Sequence, residues 1–266
     1  MKAKKYVVYT ALFGEYDDLT EPVFSEECDY ICFTDNPNLR SNGWKIVLTA
    51  SHMTPQMMNR LYKIKPHLCL PDYPASLYVD SNIEVMGDPA DLFCNYLSVS
   101  SFAAPRHAER NCIYSEALCC IAYKKTERRL VMQQMASYAR AGYPVDNSLF
   151  ENRILLRAHN DKRVIQLMDC WWDELVRWAE RDQLSLCYVA WKLNFGIGEI
   201  SENPRFDNRY FKWHPHKGDR KGLWMRLGRK LMACARYIVS FPEYVCRIWI
   251  VSAFFNWKAR KRPSSD

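Results

Sequence analysis

In the stretch Ser76-Leu77-Tyr78-Val79-Asp80-Ser81-Asn82-Ile83-Glu84-Val85, apolar residues run up to Asp80 and resume at Ile83 and Val85. Three consecutive polar residues separate them, and Gly87-Asp88-Pro89 follows as a turn. This is the pattern of a buried strand interrupted by Asp80-Ser81-Asn82. A carboxylate and an amide oxygen two residues apart at a strand end suit a hard divalent cation. They equally suit a plain turn or helix N-cap, and the triplet alone carries both readings.

Upstream, Tyr6 to Phe13 is a continuous apolar run, as expected of a central strand buried on both faces, ended by Gly14. Asp29 to Asn36 and Trp44 to Leu48 read as a second and a third strand. Thr54-Pro55 opens a helix with Thr as N-cap and Pro at the first helical position. Arg60, Lys63 and His67 are spaced to share one face of it, with Lys65 on another side. Downstream, Asp88-Pro89 caps a helix to about Leu97, and Ser100 to Ala104 reads as a strand. Two helices are expected near 115–124 and 126–141, then a strand from Leu149 to Leu156. Asp161 opens a long helix to about Ala179, Arg181-Asp182-Gln183 breaks it, and a core helix covers 184–193. Residues 201–221 read as a loop. Strands alternating early with helices indicate an α/β domain with a mostly parallel sheet flanked by helices. Trp171, Trp172 and Trp178 have the spacing of core residues.

The chain has 266 residues, 48% of them hydrophobic and 14% aromatic, enough for a sizeable core and too many for a disordered protein. Its eleven cysteines are scattered without a C-x-x-C pair. Lys2, Lys4 and Lys5 lead straight into a strand with no leader pattern. The expectation is a cytoplasmic protein with reduced thiols. The net charge of +7 is local: residues 217–262 hold twelve Lys/Arg against two acids, a net +10, leaving the body slightly acidic. The domain is expected to cover 1–221 and a basic tail 222–266. Within the tail, Gly222 to Phe241 and Tyr244 to Trp257 read as amphipathic or apolar helices too short to span a bilayer, followed by Lys258-Ala259-Arg260-Lys261-Arg262. Such segments suit an anionic membrane surface, here the inner face, as peripheral attachment. Basic residues interleaved with long apolar runs argue against nucleic acid.

Thr10-Ala11-Leu12-Phe13-Gly14-x-Tyr16-Asp17, Phe33-Thr34-Asp35-Asn36, Arg60-x-x-Lys63-x-Lys65-x-His67 and Tyr78-Val79-Asp80-Ser81-Asn82 occur in that order. Pro105-Arg106-His107-x-Glu109-Arg110 with Tyr114, and Arg181-Asp182-Gln183-Leu184-Ser185, extend the series. In combination the chain resembles, over residues 6 to about 195, the glycosyltransferase-like family filed as domain of unknown function 616, and more distantly the GT-A transferases. The resemblance implies a GT-A-like, Rossmann-like fold and transfer of a sugar from a nucleotide sugar, a UDP-sugar, to a glycan or lipid-linked acceptor in cell-surface polysaccharide synthesis. It places Thr10 and Tyr16 along the nucleotide, Asp35 near the base, and Lys63 with Arg60 on the donor phosphate. It assigns Asp80 and Asn82 to Mn²⁺ or Mg²⁺, with His214 and His216 where such enzymes keep a third ligand; imidazole fits Mn²⁺ better. Asn82 stands where the usual motif has a second Asp, which removes one negative charge. Lys217 would reach the leaving phosphate. Asp182 and Gln183 would stand at the reacting sugar, although a helix break with Asp182 as N-cap explains them too. His107, Arg110, Tyr114 and Glu116 would form the acceptor loop, or a solvated loop; Glu151, Arg157 and His159 are further candidates. A related plant protein described as a ceramidase keeps a membrane-associated hydrolase open, and the basic tail a non-catalytic binding protein.

Overall fold

The computed structural model describes residues 5–14, 16–217, 230–238 and 241. The strands are β1 (Tyr6–Leu12), β2 (Cys28–Thr34), β3 (Lys45–Leu48), β4 (Ser76–Val79), β5 (Ile83–Val85), β6 (Phe102–Pro105), β7 (Ile154–Arg157), β8 (Gly198–Ile200) and β9 (Phe211–Trp213). The helices are α1 (Pro55–Ile64), α2 (Pro66–Cys69), α3 (Ala90–Leu97), α4 (Ile113–Ala122), α5 (Arg128–Arg140), α6 (Lys162–Arg177) and α7 (Leu186–Lys192). Contacts group the chain into two compact units. Among the described residues, one unit takes those within 1–108, 151–172 and 195–220, and the other those within 109–150, 173–194 and 221–266.

The first unit holds a seven-stranded sheet in the order β3-β2-β1-β4-β7-β6-β8. β3, β2, β1 and β4 run parallel, β7 is antiparallel to β4 and β6, and β8 is parallel to β6. This is the expected α/β fold with a mostly parallel sheet flanked by helices. Every β1 residue is buried. Successive side chains face opposite sides: Tyr6, Val8 and Leu12 join Leu92 and Phe93 of α3, while Tyr9 reaches the last turn of α1. Helices therefore cover both faces of the sheet. The carboxyl ends of β1, β2 and β4 share one edge, where open α/β sheets bind ligands.

Several boundaries follow the local chemistry read from the sequence. The Thr54 side chain accepts from Met57 N, with Pro55 at the first helical position. Asp88 Oδ1 accepts from Ala90 N, and Asp161 Oδ1 from Arg163 N and Val164 N. Gly14 has φ +68°, and a Cβ there would stand 2.6 Å from the Pro55 side chain, so only glycine fits this turn.

Other expectations are corrected. α1 stops at Ile64 and α2 starts at Pro66, because proline has no N–H and disfavours helical Lys65, here at φ −113°, ψ 57°. His67 is thus not on the face of Arg60 and Lys63; its Nε2 lies 3.7 Å from Asp169 Oδ1. The strand expected from Leu149 begins only at Ile154. The 201–221 loop contains β9, which pairs with β5 in a separate two-stranded sheet. Of the tail, 230–238 is helical; the second expected helix, 244–257, and the basic cluster after it lie outside the described residues. Among the described residues no helix is long and apolar enough to cross a membrane.

Beyond β7, buried His159 makes a 2.9 Å hydrogen bond through Nε2 to the Leu70 carbonyl, and Asn160 Nδ2 donates to the carbonyls of Pro71 and Tyr73. Burial lowers the His159 pKa to about 4. The unfolded chain, titrating at about 6.5, binds this proton first, so stability falls as pH drops from there towards 4, by about 3 kcal/mol. Burial also lowers the His67 pKa, in the same sense. Denaturant unfolding of a His159→Gln variant is expected to show a flatter acid limb; parallel limbs for variant and parent would refute the assignment.

Candidate active site

Two groups of side chains occupy the carboxyl edge of the sheet in the first unit. The first surrounds Asp80, placed where β4 ends. Its N–H donates to the Arg153 carbonyl (2.9 Å) and its own carbonyl accepts from Ile83 N (2.8 Å), closing the turn. Asp80 Oδ1 accepts from Lys63 Nζ at 3.2 Å and from Tyr78 OH at 2.9 Å. The Lys63 side chain is 3% exposed and that of Asp80 25%, so the ammonium is buried and the carboxylate faces outward. Burial, then the nearby Asp80 charge, holds the Tyr78 pKa well above its usual value, which keeps the phenol a donor. Lys63 also lies 5.1 Å over the Tyr78 ring. Arg60 is one step removed: its Nη1 donates to Asn59 Oδ1, and Asn59 Nδ2 donates to the Ala11 carbonyl.

Asn82 joins the turn to β9 from a distance of 132 residues: its Nδ2 donates to the His214 carbonyl at 2.8 Å, and its own carbonyl accepts from His214 N at 2.9 Å. Asn82 Oδ1 is buried and, among the described residues, has no hydrogen-bond partner. The two histidines are held by other carboxylates. His214 Nε2 lies 2.7 Å from Glu84 Oε2, and His216 Nδ1 lies 2.5 Å from Asp17 Oδ2. Among the described residues no group of three or more His, Cys, Asp or Glu stands close enough together to hold a metal. The oxygens left for a cation are the partly exposed Asp80 carboxylate and the buried Asn82 amide oxygen. An all-oxygen pair of this kind fits Mg²⁺ or Mn²⁺, with the rest of the shell left to other oxygens.

The second group lines a cavity of about 270 Å³ formed by Leu12, Asp17, Asp18, Leu19, Thr34, Asn36, Leu39 and Lys217, beyond the ends of β1 and β2. Buried Asp17 accepts from Asp18 N and Lys217 N, each at 3.2 Å, besides its bond to His216. Lys217 Nζ stands 2.7 Å from Asp18 Oδ1. Tyr16 is 66% exposed and packs against the His216 ring.

Several expected nucleotide contacts move. Thr10 is wholly buried inside β1, so it cannot lie along a ligand. Asp35 Oδ1 accepts from Gly14 N at 3.0 Å and shapes the β1 turn, while its neighbour Asn36 lines the cavity. Sequence reading missed Tyr78, Asp17 and Glu84 as partners of the site. It undervalued Glu151, which is buried and bound through Oε1 to Arg205 at 2.6 Å, with Oε2 unpartnered among the described residues.

His107 is buried in the first unit. The remaining expected acceptor and catalytic residues belong to the second unit. Arg110 Nε donates to buried Glu116 Oε2 at 2.7 Å, and buried Tyr114 donates to the Tyr143 carbonyl at 2.9 Å. Tyr114 and Glu116 are therefore interior residues of α4 and not an open acceptor loop: Arg110 folds back onto the first helical turn to pair with Glu116. Asp182 is buried at the start of a 3-10 turn, Asp182–Leu184, and its carbonyl accepts from Ser185. Gln183 Nε2 donates to the Phe150 carbonyl at 3.1 Å.

A family model described as TOD1/MUCI70, glycosyltransferase-like domain, matches residues 1–212. The chain belongs to this family. It is 26% identical over 220 residues to the probable hexosyltransferase MUCI70 of Arabidopsis thaliana, covering 70% of this chain and 37% of that protein. It is 25% identical over 228 residues to the alkaline ceramidase TOD1 of the same plant, covering 71% of this chain and 48% of that protein. The chain thus spans less than half the length of these curated relatives. Among solved structures, the bifunctional glycosyltransferase WbbM in its apo form matches with a TM-score of 0.44 and 9% identity, covering 75% of this chain and 39% of that one. Mouse xyloside xylosyltransferase 1, also apo, matches with a TM-score of 0.44 and 10% identity, covering 74% and 85%.

Proposed function

We propose that this chain is a hexosyltransferase that takes a sugar from a nucleotide sugar, a UDP-sugar, to a glycan or lipid-linked glycan. The observation that carries the reading is a lysine–aspartate pair and a polar cavity at the same edge of a parallel sheet. The cavity would take base and ribose: the Asn36 amide suits a base edge, and the Asp17 and Asp18 carboxylates suit ribose hydroxyls. Lys63 and Lys217 would meet the diphosphate, whose growing charge on departure needs preorganised cations. Asp80 and Asn82 would hold Mn²⁺ or Mg²⁺, which supplies further charge neutralisation there. In the reaction the acceptor hydroxyl attacks the anomeric carbon, the bond to phosphate breaks, and the hydroxyl proton passes to a base. The tail, 222–266, would attach the protein to anionic lipid at the inner membrane face.

A hydrolase reading is favoured by one fact, the ceramidase name of one relative. The cavity lining argues against it, since Asp17, Asp18, Asn36 and Lys217 stand among its three leucines and break up any continuous apolar slot for a ceramide chain. Thermal shift of the full chain with Mn²⁺ and a panel of nucleotides separates the two. UDP or a UDP-sugar at a hundred times its Kd is expected to raise the Tm by about 5 °C or more. No shift with any nucleotide, together with fatty-acid release from ceramide, would overturn the transferase reading.

A further inference from the structure

Arg157 is the largest buried charge of the first unit, and its surroundings are unusual for an arginine. Its side chain is wholly buried on β7 and, among the described residues, pairs with no carboxylate. Nη1 donates to the Lys63 carbonyl at 2.8 Å, and Nη2 donates to Tyr9 OH at 2.5 Å. The Tyr9 hydroxyl in turn stands 3.2 Å from the carbonyls of both Tyr62 and Lys63. The rings of Tyr9 and Phe102 lie about 6 Å from the guanidinium, and Met168 Sδ is 3.6 Å from Nη1.

These contacts fall at one place, the last turn of α1. A helix leaves its final carbonyls without partners inside the helix, and its carboxyl end carries partial negative charge. Pro66 prevents the chain from continuing in helix, so those carbonyls need partners from elsewhere. Arg157 and Tyr9 supply them from beneath, through the sheet.

We propose that Arg157, acting with Tyr9, is a positioning residue for Lys63: it pins the end of α1 so that the ammonium is presented to Asp80. Arg157 cannot touch the ligand itself. It pairs in register with Ser76, three residues back from the Val79 end of β4, about 10 Å from the edge where Asp80 stands. The Lys63 carbonyl and the Lys63 ammonium belong to one residue, so fixing the first limits the sweep of the second. Arg157 thus leaves the set of acceptor candidates and joins the donor side. The functional half of this inference rests on Lys63 as the diphosphate contact; the structural half does not.

The test reads both halves separately. Competitive acetylation of the full chain with acetic anhydride, followed by mass spectrometry, gives the labelling rate of Lys63 against exposed Lys45 and Lys162. Tyr9→Phe removes only the hydroxyl, and Arg157→Met keeps the bulk. Each is expected to raise Lys63 labelling about tenfold, the scale of losing one charge-assisted hydrogen bond, with Lys45 and Lys162 unchanged. Phe93→Leu, on the opposite face of the sheet, is expected to lower stability and leave Lys63 protected. Should Arg157→Met fail to fold, Tyr9→Phe carries the test alone. Parent-like Lys63 labelling in folded Tyr9→Phe overturns the inference, and so does equal deprotection in Phe93→Leu. With UDP and Mn²⁺ as probe, Tyr9→Phe is expected to weaken binding about tenfold. A parent protein that binds no UDP refutes the diphosphate reading while the labelling result still stands.

Discussion

Asp80→Ala is expected to lower UDP-sugar turnover by about a thousandfold or more, the scale for removing a preorganised charge at a reacting diphosphate. The substitution also withdraws the carboxylate from Lys63 Nζ and Tyr78 OH, two buried donors. Breaking a half-buried pair of this kind costs about 2 kcal/mol, less than a fully buried one because a quarter of the Asp80 side chain is exposed. Loss of activity alone would therefore be ambiguous. The double variant Asp80→Ala, Lys63→Met resolves it by replacing the stranded ammonium with an apolar chain of similar length. Stability is expected to recover by more than half in the double variant, while turnover falls to or below the level of the single one, because Lys63 is itself the proposed diphosphate contact. If Asp80→Ala turns over at the parent rate, Asp80 is only the end of a strand.

Near Asp80, local chemistry was legible: an apolar run broken by a polar triplet, and a helix opened by Thr54-Pro55, are encoded within a few residues of where they act. The Lys63–Asp80 contact was legible only in part. Both residues were singled out, but their pairing depends on how α1 lies over the sheet. His67 was misplaced because spacing of three and four suggested one face, and the cost of placing Lys65 in a helix ahead of Pro66 outweighed that spacing. Thr10 was misplaced although the apolar run around it already implied burial on both faces. A polar side chain inside such a run faces the interior like its neighbours.

The partners of His214 and His216 were beyond reach for a different reason. Glu84 and Asp17 lie 130 and 199 residues away in the chain. β9 has only three residues and no periodic signal of its own; it exists because β5 offers an open edge. Tyr114 and Glu116 show the converse, where polar side chains that looked suited to an acceptor are taken up by the Tyr143 carbonyl and by Arg110. Residue type announced chemistry in each case, and long-range pairing decided where it was used.

Asp17 is where that long-range pairing has the largest consequence for ligand binding. Its carboxylate, with a side chain only 1% exposed, accepts from Asp18 N, Lys217 N and His216 Nδ1. It thereby ties residues 216–217 to the loop after β1, and Asp17, Asp18 and Lys217 all line the cavity. Asp17→Ala leaves three donors without this acceptor, and the two that tie residues 216–217 to the loop, from His216 and Lys217, each weigh about tenfold, so UDP affinity is expected to fall about a hundredfold. His216→Ala removes one partner and leaves the Lys217 N–H bond, so about a tenfold loss is expected from it. Lys217→Met should barely change stability, because its contact with Asp18 is half exposed on both sides. It should still weaken UDP binding, and that weakening should shrink as salt rises, as expected of an exposed cation meeting a phosphate. Calorimetric titration of UDP into the three variants gives the ranking Asp17→Ala, then His216→Ala, with the salt dependence confined to the parent and the variants that keep Lys217. If all three bind UDP as the parent does, the cavity beyond β1 and β2 is not the nucleotide site, and Asp17 serves only to fasten residues 216–217 to the sheet.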